Sequence, residues 1–242
     1  MSARFEDQAR ALRSLLQLSA PPIAISFHAS PPVDVERFDR PMPAPTADGR
    51  TGRVPAGCVF WMHATERAFA TVAEDHANCS VGSYTHGFVS LETAATHGDV
   101  AAIVEAGWVA ETDFPTIPAI KDTPGAVTYE PLPDAKYADV VLVRVHSAGL
   151  MTLLDAWPEL MIEGKPQCHI VAIAQQHGRV AASVGCALSR ARTGMPATEA
   201  TAAIPVAVLD SLIERLTRAA NANATVARYA GADAARFEEV GT

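Results

Sequence analysis

Four cysteines are the residues in this chain best suited to chemistry, and each stands at the head of a short segment. Cys58 opens "CVFWMHA", Cys79 opens "CSVGSYTHG", Cys168 opens "CHIVAIAQQHG" and Cys186 opens "CALSRARTG". The residue before each is Gly57, Asn78, Gln167 or Gly185, a turn former or polar residue rather than part of an apolar run. A thiol at a helix start feels the positive end of the helix dipole and unpaired backbone N–H groups, both of which favour thiolate. Thiolate is both a nucleophile and a metal ligand. Glycine before Cys58 and Cys186 lets the backbone approach a bulky group closely.

The spacing excludes the local metal motifs. There is no C-x2-C, so neither a zinc ribbon nor a ferredoxin run is present. Dispersed single cysteines fit an all-thiolate site assembled by tertiary folding. An iron–sulfur cluster, [4Fe-4S] in type, is the leading expectation, held by Cys58, Cys79, Cys168 and Cys186, with zinc the alternative. The bland rival is that each cysteine fills a small apolar space, as free cysteines often do.

Other candidates rank below the thiols. His76, in "EDHANC", follows Glu74 and Asp75 and precedes Cys79 by three residues; it is a candidate proton shuttle. Arg190, in "CALSRARTG", is the favoured anion contact and, with His76, a candidate catalytic residue. His63, His86 and His169 lie near cysteines and are weaker. Lys165 reads as solvated surface, and Trp61 and Trp157 as core.

Composition bounds the rest. The chain has 242 residues, 49% hydrophobic, enough for one domain spanning 1–242. Its formal net charge of -8 gives no footprint for nucleic acid and no basic run for an anionic membrane. No stretch reaches the roughly 20 apolar residues of a membrane span, and the N-terminus lacks the layout of a signal peptide. A cytoplasmic protein is expected, with reduced thiols rather than disulfides. There is no G-x-S-x-G, Walker A, H-E-x-x-H or G-x-G-x-x-G motif.

Elements alternate. Helices are expected over 2–18, after Cys58, after Cys79, on both sides of Gly98 with Asp99 as cap, over "AGLMTLLDAWPEL", and after Cys168. Strands are expected at Ile23–Phe27, "RAFATVA", "AVTYEPL", "ADVVLVRV" and "RVAASVG". Residues 28–56 form a long proline- and glycine-rich loop able to cover a site, and 205–240 a helical tail suited to homodimer formation. This alternation gives an α/β (α+β) fold, a mixed sheet with flanking helices. The units Cys58–strand–Cys79 and Cys168–strand–Cys186 echo one another: Cys79 precedes Gly87 by the same spacing as Cys186 precedes Gly194. A pseudo-two-fold repeat is expected from this.

The segments "PPIAISF", "GCVFW", "EDHANCSVG", "GKPQCHIVAIA" and "SVGCALSR" resemble the domain-of-unknown-function family numbered 169, found in bacteria and archaea. The resemblance covers roughly 10–200. It implies that cysteines at the positions of Cys58, Cys79, Cys168 and Cys186 belong together. The chain departs from many relatives just before Arg190, where they carry a Gly-Asn-Arg-like stretch; Arg190 itself matches. The family brings no activity with it.

The functional expectation is therefore a cluster-binding oxidoreductase or lyase acting as a redox or Lewis-acid centre. A small-molecule substrate or an electron-transfer partner would be its counterpart. Two rivals stand: a metal-free thiol enzyme with a cysteine nucleophile, and a non-catalytic carrier of zinc or another cofactor.

Overall fold

The computed structural model describes residues 2–38 and 57–240. Most of the expected 28–56 loop, residues 39–56, lies outside them. A seven-stranded sheet carries helices on both faces. In chain order the elements are α1 (Ser2–Leu16), β1 (Ile23–His28), α2 (Cys58–His63), β2 (Phe69–Thr71), α3 (Ser80–Thr85), α4 (Leu91–Ala95) and α5 (Gly98–Glu105). Then follow β3 (Ala126–Pro131), β4 (Val140–His146), α6 (Ser147–Ala156), β5 (Met161–Glu163), α7 (His169–His177), β6 (Ala181–Ser183), α8 (Ala187–Thr193), β7 (Glu199–Pro205) and α9 (Leu209–Val240).

The strand order is β2-β3-β1-β4-β7-β6-β5. Every neighbouring pair is antiparallel except β5 with β6. The centre is the β1–β4 pair, where Ile23 faces Leu142 and Ile25 faces Val140. Outward from that centre, β3 and β2 lie on one side and β7 and β6 on the other. The first half runs from β1 through α2 to β2 and returns through α3, α4 and α5 to β3; the second runs from β4 through α6, the edge strand β5 and α7 to β6, and returns through α8 to β7, so the added β5 and its helix break the expected pseudo-two-fold. Each return strand, β3 or β7, ends in proline and continues into a turn of 3-10 helix, Leu132–Asp134 or Val206–Val208.

Period-two alternation builds two cores. In β4, Val141, Val143 and Val145 face α1, α6 and α9, while Val140 and Leu142 face the opposite layer. That second layer holds α2, α3, α5 and α7, and it carries the cysteines. Its apolar heart is aromatic: Phe60, Phe69 and Tyr129 pack with ring centroids 5.5–6.0 Å apart.

Two strands escape the sequence pattern. β7, "EATAAIP", is buried along its whole length; its alanines have little intrinsic strand preference, and burial between β4 and β6 decides its state. β5 is only three residues long. The tail is helical from Leu209 to Val240, starting after a turn of 3-10 helix at Val206–Val208. Asp99 does not cap its own helix. His97 is the N-cap of α5, and the Asp99 carboxylate accepts hydrogen bonds from Ser80 N (3.1 Å) and Ser80 Oγ (2.6 Å). Among the described residues no helix is long and apolar enough to cross a membrane.

Candidate functional site

Each cysteine stands at the start of a helix. Cys58 is the first residue of α2, and Cys79, Cys168 and Cys186 are the N-caps of α3, α7 and α8. The folding signal is local. Gly57 (φ 55) and Gly185 (φ 91) take left-handed conformations open to glycine at little cost, and each turns the chain into its helix. The Cys186 thiol accepts a hydrogen bond from Ser189 N at 3.4 Å. For α3, whose N-cap side chain makes no such bond, Asp99 supplies it from α5.

Helix packing then crosses the two halves. α2 packs on α8, and α3 on α7. All four cysteines come to line one cleft, joined by Trp108, Gln167, Leu188 and Arg192 among others. The cleft is narrow. Counting its mouth it encloses about 390 Å³. Cys79 and Cys168 are buried, Cys58 and Cys186 partly exposed, and all four are unbridged. Among the described residues no three His, Cys, Asp or Glu side chains are placed so that they can hold a metal ion as they stand.

Electrostatics favour the protonated thiol at Cys58 and Cys168. Burial, then the neighbouring Cys79 and Cys186, push the Cys58 thiol up to about 12. Burial and then Cys79 raise Cys168 well above its ordinary value. Neither is an activated nucleophile. Burial pulls the Arg192 guanidinium down, but the thiol of Cys79, within hydrogen-bonding reach, together with Cys58 and Asp99, outweighs it and raises the guanidinium.

Arg190 faces elsewhere. Its guanidinium donates to the carbonyls of Pro196 (2.7 Å), Val184 (2.5 Å) and Glu199 (2.9 Å), with a longer contact to Met195 (3.5 Å). It ties the chain before α8 to the loop leading into β7. His76 lies behind the cleft, fully buried. The Thr71 hydroxyl donates to Val127 O at 3.1 Å and so accepts from His76 Nε2 at 2.9 Å. His86 lies against His76 (ring centroids 5.3 Å) and gives its Nδ1–H to Gly82 O at 2.8 Å. Burial holds both histidines neutral, His86 at about 4 and His76 well below its usual value. His76 Nδ1 and His86 Nε2 have no hydrogen-bond partner among the described residues.

Lys165 is exposed, as expected, but partnered. Its ammonium bonds Trp108 O and lies 4.8 Å from the centre of the Trp108 ring, fixing that wall of the cleft. Trp61 and Trp157 pack in the two cores. Arg192 and Trp108 are the cleft residues that motif reading passes over. Helix phase gives Arg192 away: it follows Leu188 by one turn of α8, and both line the cleft.

The chain belongs to the DUF169 family, described as "Uncharacterised ArCR", whose pattern matches residues 11–215. Neither a curated protein nor a solved structure matches the chain.

Proposed function

We propose that this DUF169 member holds an iron–sulfur cluster, [4Fe-4S] in type, through Cys58, Cys79, Cys168 and Cys186, and serves as a redox or Lewis-acid protein for a small molecule or an electron-transfer partner. The observation that carries this reading is the meeting of all four cysteines of the chain, drawn from both halves of the sheet, in one cleft.

The donor set suits the group. The cleft offers four thiols and one cation, with no carboxylate among its described lining residues. Soft thiolates select iron–sulfur clusters, zinc or copper. A lone zinc needs its sulfurs drawn in to about 2.3 Å from a single centre. As they stand the described side chains gather around no metal ion, so the metal and sulfide counts below separate zinc from a cluster. Bound, the cluster supplies one-electron transfer, or an acid iron where one thiolate yields its place. The chain's own part is to hold the thiols at four helix starts, to close one wall with Trp108, and to lay Arg192 against Cys79.

The thiol-enzyme alternative, with Cys58 or Cys186 as nucleophile and a neighbouring histidine as base, asks for a low-pKa thiol, and Cys58 is shifted the other way. The zinc carrier remains its rival in the test. Anaerobic purification, an absorption spectrum and counts of iron, sulfide and zinc on wild type and each Cys→Ser variant decide between them. A brown protein with iron and sulfide, bleached by the variants, supports the cluster. Stoichiometric zinc, or no metal after anaerobic reconstitution with iron and sulfide, overturns it.

A further inference from the structure

α3 and α8 each carry a polar side chain six residues after the cysteine that starts them. Thr85 follows Cys79 by six residues, and Arg192 follows Cys186 by six. The Thr85 hydroxyl, which donates to Gly82 O at 3.0 Å, is near enough to Cys168 to offset in part the burial that raises its thiol. The Arg192 guanidinium reaches Cys79. The two halves thus meet the thiols with matched placement and different charge: a small neutral hydroxyl on one side, a permanent cation on the other.

The cation is conspicuous in its setting. The chain has a formal net charge of -8. Yet among the described residues lining the cleft, Arg192 is the one that carries charge. Asp99, which fixes the start of α3 through Ser80, also acts on Arg192, so cation and helix share an anchor. A centre ligated by four thiolates is anionic, and adding an electron makes it more so. A fixed cation beside a ligating sulfur favours the reduced form over the oxidised one, and charge and hydrogen bonds at the sulfurs are among the terms that set such potentials.

We propose that Arg192 is the counter-ion of the cysteine centre, a positioning residue that raises its reduction potential through Cys79. The proposal rests on the cluster reading above. The step it tunes is a one-electron reduction: the electron comes from an external reductant, which is oxidised, and no proton need move because the charge on Arg192 is already in place.

The test is a dithionite titration of anaerobically purified wild type, Arg192→Gln and Arg192→Lys, with iron and sulfide counted first. The expected result is a full cluster in all three, a more negative midpoint potential in Arg192→Gln, and a midpoint near wild type in Arg192→Lys. A full cluster in Arg192→Gln with an unchanged potential overturns the counter-ion role while leaving the cluster standing. Should Arg192→Gln lose its cluster, Arg192→Lys decides: an intact cluster at the wild-type potential supports the role of charge, and a lost or shifted one overturns it. Wild type without iron overturns the cluster itself, and the inference with it.

Discussion

Gly57 and Cys168 come from opposite halves of the chain, yet a methyl group placed on Gly57 would lie 3.6 Å from Cys168 Cβ and 3.2 Å from the edge of the His86 ring. A methyl group there would touch Cys168 at an ordinary contact distance and crowd the His86 ring. Gly57 also sits at φ 55, where a Cβ is strained. Gly57→Ala is expected to cost about 1–2 kcal/mol of stability and to lower iron retention by displacing the His86 ring and the start of α2. Urea unfolding and iron analysis of the same preparation check both.

Arg190→Ala should act on stability. It removes a cation shared among three close carbonyls and loosens the chain between Val184 and Glu199. With hydrogen bonds to charged groups worth about 1.5–3 kcal/mol each and part of this surface open to water, a net loss of about 2–3 kcal/mol is expected. Lysine, with a single ammonium, should not restore it. A denaturant midpoint reads this; the reduction potential should move far less than in Arg192→Gln.

Asp99→Ala should fray α3 at the Cys79 end. The carboxylate does the work of an N-cap from a neighbouring helix, and losing such a cap costs about 1 kcal/mol. Faster amide hydrogen exchange at the first residues of α3, with α7 unchanged, is the expected signature.

Loading should release protons. Burial and neighbouring thiols keep Cys58 and Cys168 protonated at neutral pH, and ligation requires thiolate. Reconstitution in weakly buffered solution should acidify it, and loading should weaken as pH falls. A pH-stat record without proton release would contradict four-thiolate ligation.

Acid should unfold the metal-free protein through its buried histidines. His76, His86 and His169 are neutral in the fold, with His86 and His169 at about 4 and His76 well below its usual value. The unfolded chain takes up protons near pH 6.5. Above that pH both states are neutral and nothing is lost. As pH falls from about 6.5 towards 4 the unfolded state binds more protons, and each histidine removes up to about 1.4 kcal/mol per pH unit. His86→Gln and His169→Gln should flatten the pH dependence of the urea midpoint in that window.

Reading the site from sequence worked where the signal was local. A glycine or polar residue before each cysteine, followed by an apolar run, marks a helix start, and all four cysteines stand at one. It failed where partners are distant. Asp99 looks like the cap of its own helix because nothing in "THGDVAA" reveals Ser80 across the turn. In "SRART" Arg190 reads as the anion contact, yet helix phase sends it to the carbonyls of the β7 loop and brings Arg192 to the cleft instead. His76 sits among acidic residues and reads as loop, whereas its ring is sealed beneath Phe60 and Phe88. β7 is hidden because alanine carries little pattern.

The sheet order also has a consequence for biosynthesis. The two central strands come from different halves, and the cleft takes one helix pair from each. Cys58 and Cys79 therefore leave the ribosome well before Cys168 and Cys186, and before β7 can complete the sheet behind them. At about 5–20 residues per second the first two thiols wait several seconds for their partners. Throughout that interval they stand unsheltered, open to oxidants and stray metals in the surrounding fluid. A group held by all four thiols can be complete only once translation has passed Cys186.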